Sequence, residues 1–186
     1  MKNLFLTLFL AVISITAFSQ NDQSTTSGHI KIFSSTPAED IEANNYKVIS
    51  IIKPATGDVV FSVPMQSFEF EKALMQKHYN SKKFLDTKQF PKSKFKGTIT
   101  NLSDIDFTKD GTYEAEVNGS LTIHGVSKDV SEKLALTVKN GNVTGVTEFD
   151  IVLADYGVIF KSGKPSTNIS KTIKITANLN YTEKTN

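Results

Sequence analysis

From about residue 28 to the end, this chain alternates apolar and polar residues, segment after segment. Strict alternation puts one face of an extended strand in a core and the other in water, and it does not suit a helix. "HIKIFS" alternates through Ile30 and Ile32, and in "GDVVFSVPM" Val59, Phe61 and Val63 share a face. "SKFKGTIT" sets Phe95, Gly97 and Ile99 against Lys94, Lys96 and Thr98. The longest run, "TYEAEVNGSLTI", aligns Tyr113, Ala115, Val117, Gly119, Leu121 and Ile123. "SEKLALTV" aligns Leu134, Leu136 and Val138; "VTEFDIVL" aligns Phe149, Ile151 and Leu153; "KTIKITANLNY" runs from Ile173 to Tyr181 in the same phase. With "YKVISII" this makes about eight strands. "ATGD", "KDGT" and "NGNV" supply turn signals between them, so the order is an antiparallel meander. So many single-faced strands must either stack as two sheets or close into a barrel. A barrel of about eight strands has room for side chains or one small ligand. The small residues on the inner faces, Gly97, Ala115, Gly119 and Ala177, suit a cavity equally as well as relief of packing or bulges.

One stretch departs from the pattern. In "FEFEKALMQKHYNSKKFLDTKQFPKS", Phe70, Ala73, Leu74 and His78 fall at helical spacing, and the sequence predicts a helix of two to three turns from Glu69 to Tyr79. The expected fold class is all-β with one short helix inserted between strands.

The first residues, "MKNLFLTLFLAVISITAFSQ", have a basic start, an apolar run from Leu4 to Ile15, and Ala17-Phe18-Ser19 before the expected cut. That pattern reads as a secretory signal peptide over 1–19; a retained anchor is the alternative, but the run is short for a span. Residues 20–27 are polar and expected to be disordered, 28–182 form the domain, and 183–186 a tail. The product is expected to be periplasmic or secreted, with no stable membrane span after cleavage. The chain has no cysteine, which excludes disulfides, thiolate metal sites, a cysteine nucleophile and a lipoprotein anchor. Its formal charge of +2 falls to +1 without Lys2, which gives no reason to expect nucleic acid. Every basic residue is lysine, so no guanidinium fork is available for a phosphate or carboxylate.

The residues that could carry chemistry are few. His29, His78 and His124 are the only imidazoles, and none has the i, i+4 spacing of a helical metal motif; no metal and no cofactor are expected. No nucleophile elbow accompanies the serines, so no catalytic residue is assigned. "SDIDFTKDG" groups Asp104, Asp106 and Asp110 without the spacing of an EF-hand, and reads as a solvated acidic turn. Lys72, Lys77, Lys82, Lys83 and Lys88 gather around the helix, either as a solvated face or as a basic rim steering an anionic head group.

Three stretches resemble the YceI-like family. "SFEFEKALMQKHYNSKKFLDTKQFPKSKFKG" is similar to its strand, short helix and Phe/Tyr-Pro passage. "GSLTIHGVSKDV" resembles its Gly-x-Leu-Thr-Ile/Leu-His-Gly-Val-Thr-Lys-x-Val signature, and "DYGV" (155–158) its Asp-Phe-Gly-Ile element. The resemblance spans about 28–182. It implies an extended, lipocalin-like antiparallel β-barrel that binds a polyisoprenoid or similar amphiphile without catalysis, in the bacterial periplasm. The chain departs from the family at "KIFSSTPAEDIEA", where a Ser-x-Val/Ile-x-Phe-x-Val/Ile-x-His pattern is common. It also departs at the missing arginines, position 154 being Ala.

On this reading Phe61, Val63, Phe95, Ile99, Val117, Leu121, Phe149 and Ile151 wall the lumen, and Phe68, Leu74 and Phe84 form its mouth. His124 and Gly125 are structural: His124 shares the outward phase of Thr122 and is expected to brace a turn by bonding neighbouring backbone. The expected partner is an isoprenoid or lipid-like small molecule, with a homodimer as the one protein assembly considered. The alternative function is an exported barrel acting through surface contacts with another envelope protein, without a lipid.

Overall fold

The computed structural model describes residues 21–159 and 168–184. The expected signal peptide, residues 1–19, lies outside them. Nine strands occur in chain order: β1 (Gln23–Ser35), β2 (Asp40–Ile52), β3 (Asp58–Pro64), β4 (Glu69–Phe70), β5 (Lys92–Ile99), β6 (Gly111–Ile123), β7 (Val126–Lys139), β8 (Asn142–Val152) and β9 (Thr172–Glu183). One α-helix, α1 (Ala73–Tyr79), lies between β4 and β5. Eight strands follow round in the order β1-β9-β8-β7-β6-β5-β3-β2, and β2 pairs with β1 to close the barrel. All these pairings are antiparallel. The two-residue β4 continues the β3 edge of β2 further along that strand, through Ala43↔Phe70 and Asn44↔Glu69. Closure pairs each of the eight strands with a neighbour on both sides over at least part of its length, which limits the exposed edge that templates aggregation.

Local chemistry explains the tightest connections. His124-Gly125 and Asn140-Gly141 each join two long strands, with φ of 52° and 77°, and 50° and 77°. Two successive residues with positive φ match the right-handed twist of the flanking strands, which is why an Xaa-Gly pair occupies each turn. Asp110-Gly111, by contrast, is not a tight hairpin. It ends a longer connection, over 100–110, whose Ile105 and Phe107 are buried in the base of the barrel.

Three boundaries differ from the sequence reading. Residues 23–27 are not disordered but form the start of β1, where Gln23 pairs with both Ile52 and Glu183. Polar composition suggested disorder, but two neighbouring strands pair with this stretch and bury Gln23 and Thr25. The tail is shorter than 183–186: Glu183 belongs to β9, and the Lys184 N–H donates to the Asp22 carbonyl at 2.8 Å. The helix begins at Ala73 rather than Glu69, because Glu69 and Phe70 are drawn into β4. The Gln76 side chain holds that junction, donating to the Phe68 carbonyl at 2.8 Å and accepting from the Phe70 N–H at 3.3 Å.

The interior divides along the barrel axis. One half is filled: Ile52, Val59, Ile99, Leu134, Leu136, Val138, Leu179 and Tyr181 pack together with Ile105 and Phe107 beneath them. Within it the Tyr181 hydroxyl and the Ser50 hydroxyl, both buried, lie 2.9 Å apart and satisfy each other. The other half carries α1 and is lined rather than filled.

Candidate functional site

The lined half encloses a cavity of about 790 Å³. Its wall is built from the inward phases of the strands: Ile30 and Ile32 of β1, Val63 of β3, Leu121 and Ile123 of β6, Phe149 and Ile151 of β8, Ile173 and Ile175 of β9. Pleat geometry alone turns these branched and aromatic side chains inward. On one side the wall is completed by Phe68, Phe70, Tyr79 and Phe84. Ring centroids there lie 5.7 Å apart for Phe68–Tyr79, 4.9 Å for Phe70–Tyr79 and 6.4 Å for Tyr79–Phe84. Burial pushes the Tyr79 hydroxyl well above its usual range, so it stays neutral. It points at the Met65 sulfur, 3.9 Å away, and the Ser93 hydroxyl donates to the same sulfur at 3.0 Å.

Polar groups collect at the rim. Lys72 and Glu39 form a 2.6 Å ion pair across the opening, and Asn168 donates to the other Glu39 oxygen at 3.3 Å. The hydrogen bond from Lys72 holds the Glu39 carboxyl below its usual range, and the same bond raises Lys72. His78, Ser81 and Lys83 also face the opening. The site is therefore an apolar tube with a charged lip, suited to an elongated apolar molecule with one polar end.

A smaller recess of about 100 Å³ continues from the main cavity towards the filled half. Phe61, Val63, Phe95, Val117, Leu121 and Phe149 line it, together with Val130 and Glu132 of β7 and Thr147 of β8. Glu132 shares the inward phase of Val130 and Leu134. Burial, and then the nearby Asp150 carboxylate, push its carboxyl above the usual carboxylate range. Beside the recess, Gly97 and Gly119 pair across β5 and β6, and the Phe95 ring lies over both. A Cβ on Gly97 would meet the Phe95 ring at 2.5 Å, and one on Gly119 at 2.7 Å. The small residues thus make room for an aromatic side chain of the barrel itself.

Of the wall residues read from sequence, Val63, Leu121, Phe149 and Ile151 line the main cavity, while Phe61, Phe95 and Val117 reach only the recess. Ile99 lines neither; it is 3% exposed within the filled half. Alternation correctly gives it an inward phase but carries no information on depth along the axis. At the mouth, Phe68 and Phe84 face the cavity from inside, and Leu74 stands on the lip of α1, 62% exposed. Sequence reading missed Ile30, Ile123, Ile173 and Ile175 as wall, although each shares a phase with residues already recognised, and it missed Glu132 and Met65.

The histidines stand in different settings. His29 stacks on Tyr46 with ring centroids 4.6 Å apart and bonds the Asn44 side-chain oxygen at 2.8 Å; His78 lies on the lip. Among the described residues no group of three or more His, Asp or Glu is placed to hold a metal ion. His124 sits in its turn with Nδ1 3.4 Å from the Tyr156 carbonyl oxygen and its ring edge-on to Phe90, centroids 4.6 Å apart. It ties the turn to the segment after β8 instead of bonding neighbouring backbone, as expected from sequence. Gly125 is needed both for its φ and because a Cβ there would meet Phe90 at 2.6 Å.

Comparison with known proteins places this architecture. A family profile described as "YceI-like domain" matches residues 12–181. A UPF0312 protein of Shewanella denitrificans is 30% identical over 126 residues, covering 63% of this chain and 61% of that protein. One from Pseudomonas fluorescens strain SBW25 is 36% identical over 81 residues, covering 44% and 38%. The chain thus matches less than two thirds of the length of these relatives. Among solved structures, a polyisoprenoid binding domain from Saccharophagus degradans, implicated in plant cell wall breakdown, superposes with a TM-score of 0.73 at 13% identity, covering 88% of this chain and 99% of that one. Burkholderia cenocepacia BcnA gives 0.69 at 17% identity, covering 83% and 96%. At such identities these likenesses establish the shared barrel.

Proposed function

The chain belongs to the YceI-like family, and from that premise we propose that it is a non-catalytic carrier, exported to the periplasm, that holds one polyisoprenoid or similar amphiphilic lipid in its lumen. The observation that carries this reading is the hollow half of the barrel: a cavity of about 790 Å³ walled by isoleucine, phenylalanine and methionine, opening at a charged lip. A barrel that worked only through its outer surface would have no use for that void, because filling it would add stability. The Saccharophagus neighbour, a polyisoprenoid binding domain, points the same way. Each buried CH₂ contributes about 0.8 kcal/mol, so a chain of several isoprene units binds without any directed polar contact. That accounts for a carrier without an arginine clamp. The leader-like residues 1–19 support export, and among the described residues no helix is long and apolar enough to cross a membrane.

The experiment is to purify the protein natively, extract it with organic solvent and identify the extract by mass spectrometry. A prenyl or acyl lipid in near-stoichiometric amount is expected, and added prenyl alcohol should raise the Tm of the stripped protein. An empty extract with no thermal shift would end the carrier reading.

A further inference from the structure

The barrel wall is not laddered equally all the way round. β6 and β7 pair along their whole shared length, from Gly111↔Val138 to Ile123↔Val126, and β8 and β9 pair from Val143↔Tyr181 to Val152↔Thr172. Between β7 and β8 the ladder covers only Ala135↔Val146 to Lys139↔Asn142. Beyond it, residues 126–134 of β7 and 147–152 of β8 run on without a shared ladder. One residue past the last pair, the Thr147 hydroxyl donates to the Lys133 carbonyl at 2.7 Å. This unladdered seam lies along the hollow half, and the 100 Å³ recess sits directly behind it, with Val130 and Glu132 on one side and Thr147 and Phe149 on the other.

The seam lies where a long ligand runs out of room. The main cavity, about 790 Å³, opens at the lip and has a finite depth. The recess adds little. Below it, Val59, Val117, Leu134 and Ala177 close the way into the filled half, two of them being 2% exposed or less. A chain entering at the lip and longer than the cavity must double back or leave sideways. At the seam the side wall has no backbone ladder to break.

We propose that the seam between β7 and β8 is a side port of the lumen, through which the barrel accepts isoprenoid or acyl chains longer than its main cavity, the surplus passing out between Val130–Glu132 and Thr147–Phe149. This rests on the lumen being a lipid site. It makes Val130 and Thr147 determinants of chain length, and leaves the polar end of the ligand at the lip. The rim fits the apolar part of a ligand: Val130 and Phe149 flank it, and the Thr147 hydroxyl is already engaged by the Lys133 carbonyl.

The test uses geranylgeraniol as a short chain and undecaprenol as a long one. The chain lacks cysteine, so Glu132→Cys places a single thiol on the port, and its rate of maleimide modification reads what lies there. Bound undecaprenol is expected to slow modification several-fold, while bound geranylgeraniol leaves it within about twofold. Val130→Trp, which plugs the seam, should weaken undecaprenol about tenfold or more and leave geranylgeraniol within about twofold. If both alcohols bind but the thiol reacts alike in both complexes and Val130→Trp treats them alike, the port is wrong and the carrier stands. The port also falls if geranylgeraniol binds and undecaprenol does not. If neither alcohol binds the stripped protein, the port falls; if native extraction is also empty, the carrier reading fails with it.

Discussion

The two halves of this barrel share the same strands and yet solve different problems. In the filled half, the inward residues of β6, β7 and β9 are mostly leucine, valine and tyrosine, packed until almost nothing is exposed, as in an ordinary protein core. In the hollow half, the same strands carry Leu121, Ile123, Val130 and Ile175, which face a space instead of each other. The shape of the barrel is maintained from one end by packing, so that the other end is free to stay open. Packing and open space thus fall on different stretches of the same strands, and a change in one need not damage the other.

The sharpest way to break that comparison is a pair of truncations. Leu136→Ala removes a fully buried side chain from the filled half, and should cost about 2–5 kcal/mol in urea unfolding. Phe149→Ala removes a larger side chain, but one that already borders empty space; it should cost less than Leu136→Ala because fewer packing partners are lost. Equal losses would mean that the hollow half is as structural as the filled one. A smaller effect is expected from Tyr181→Phe, which strips the buried Ser50 hydroxyl of its partner and should cost about 1–3 kcal/mol. Replacing Ser50 with Ala in the same background should recover part of the loss. The smallest effect separates the halves by pH. Glu132 is raised in the folded state, so the fold holds its proton after the unfolded chain has released one. Stability from this group is therefore complete below its ordinary value of 4.5, and is lost as pH rises through the folded value. Because the group is largely open to solvent the effect is modest, and Glu132→Gln should flatten the fall in Tm across that window. A Tm that falls as steeply in Glu132→Gln would show that Glu132 is not the group responsible.

Alternation made the barrel legible because a strand with one buried face repeats every two residues, and eight such strands leave few ways to hide that face. It also fixed the inward phase of Val63, Leu121, Phe149 and Ile151. What it could not supply was height. Ile99 and Val63 have the same phase and the same apolar character, but one lies in a packed core and the other on a cavity wall. That difference depends on the register between strands and on Ile105 and Phe107, which fold under one end from a connecting segment. Glu132 could have been noticed, since "VSEKL" places it in phase with Val130 and Leu134. The short β7–β8 ladder, by contrast, leaves no mark on either strand taken alone. The partner of His124 was illegible for a similar reason, as Tyr156 lies 32 residues further along the chain.

The pairing of Gln23 with Glu183, and of Asp22 with Lys184, has a practical meaning. Both ends of the described chain emerge side by side at the filled pole, beside Ile52 and opposite the lip. A tag, an immobilising linker or a fused domain added at either terminus would hold the barrel by its solid base, with the opening facing away. The two ends are also close enough to be joined by a short peptide, so the ring can be reopened at Asn140-Gly141, another exposed turn at the same pole, without passing new chain across the entrance.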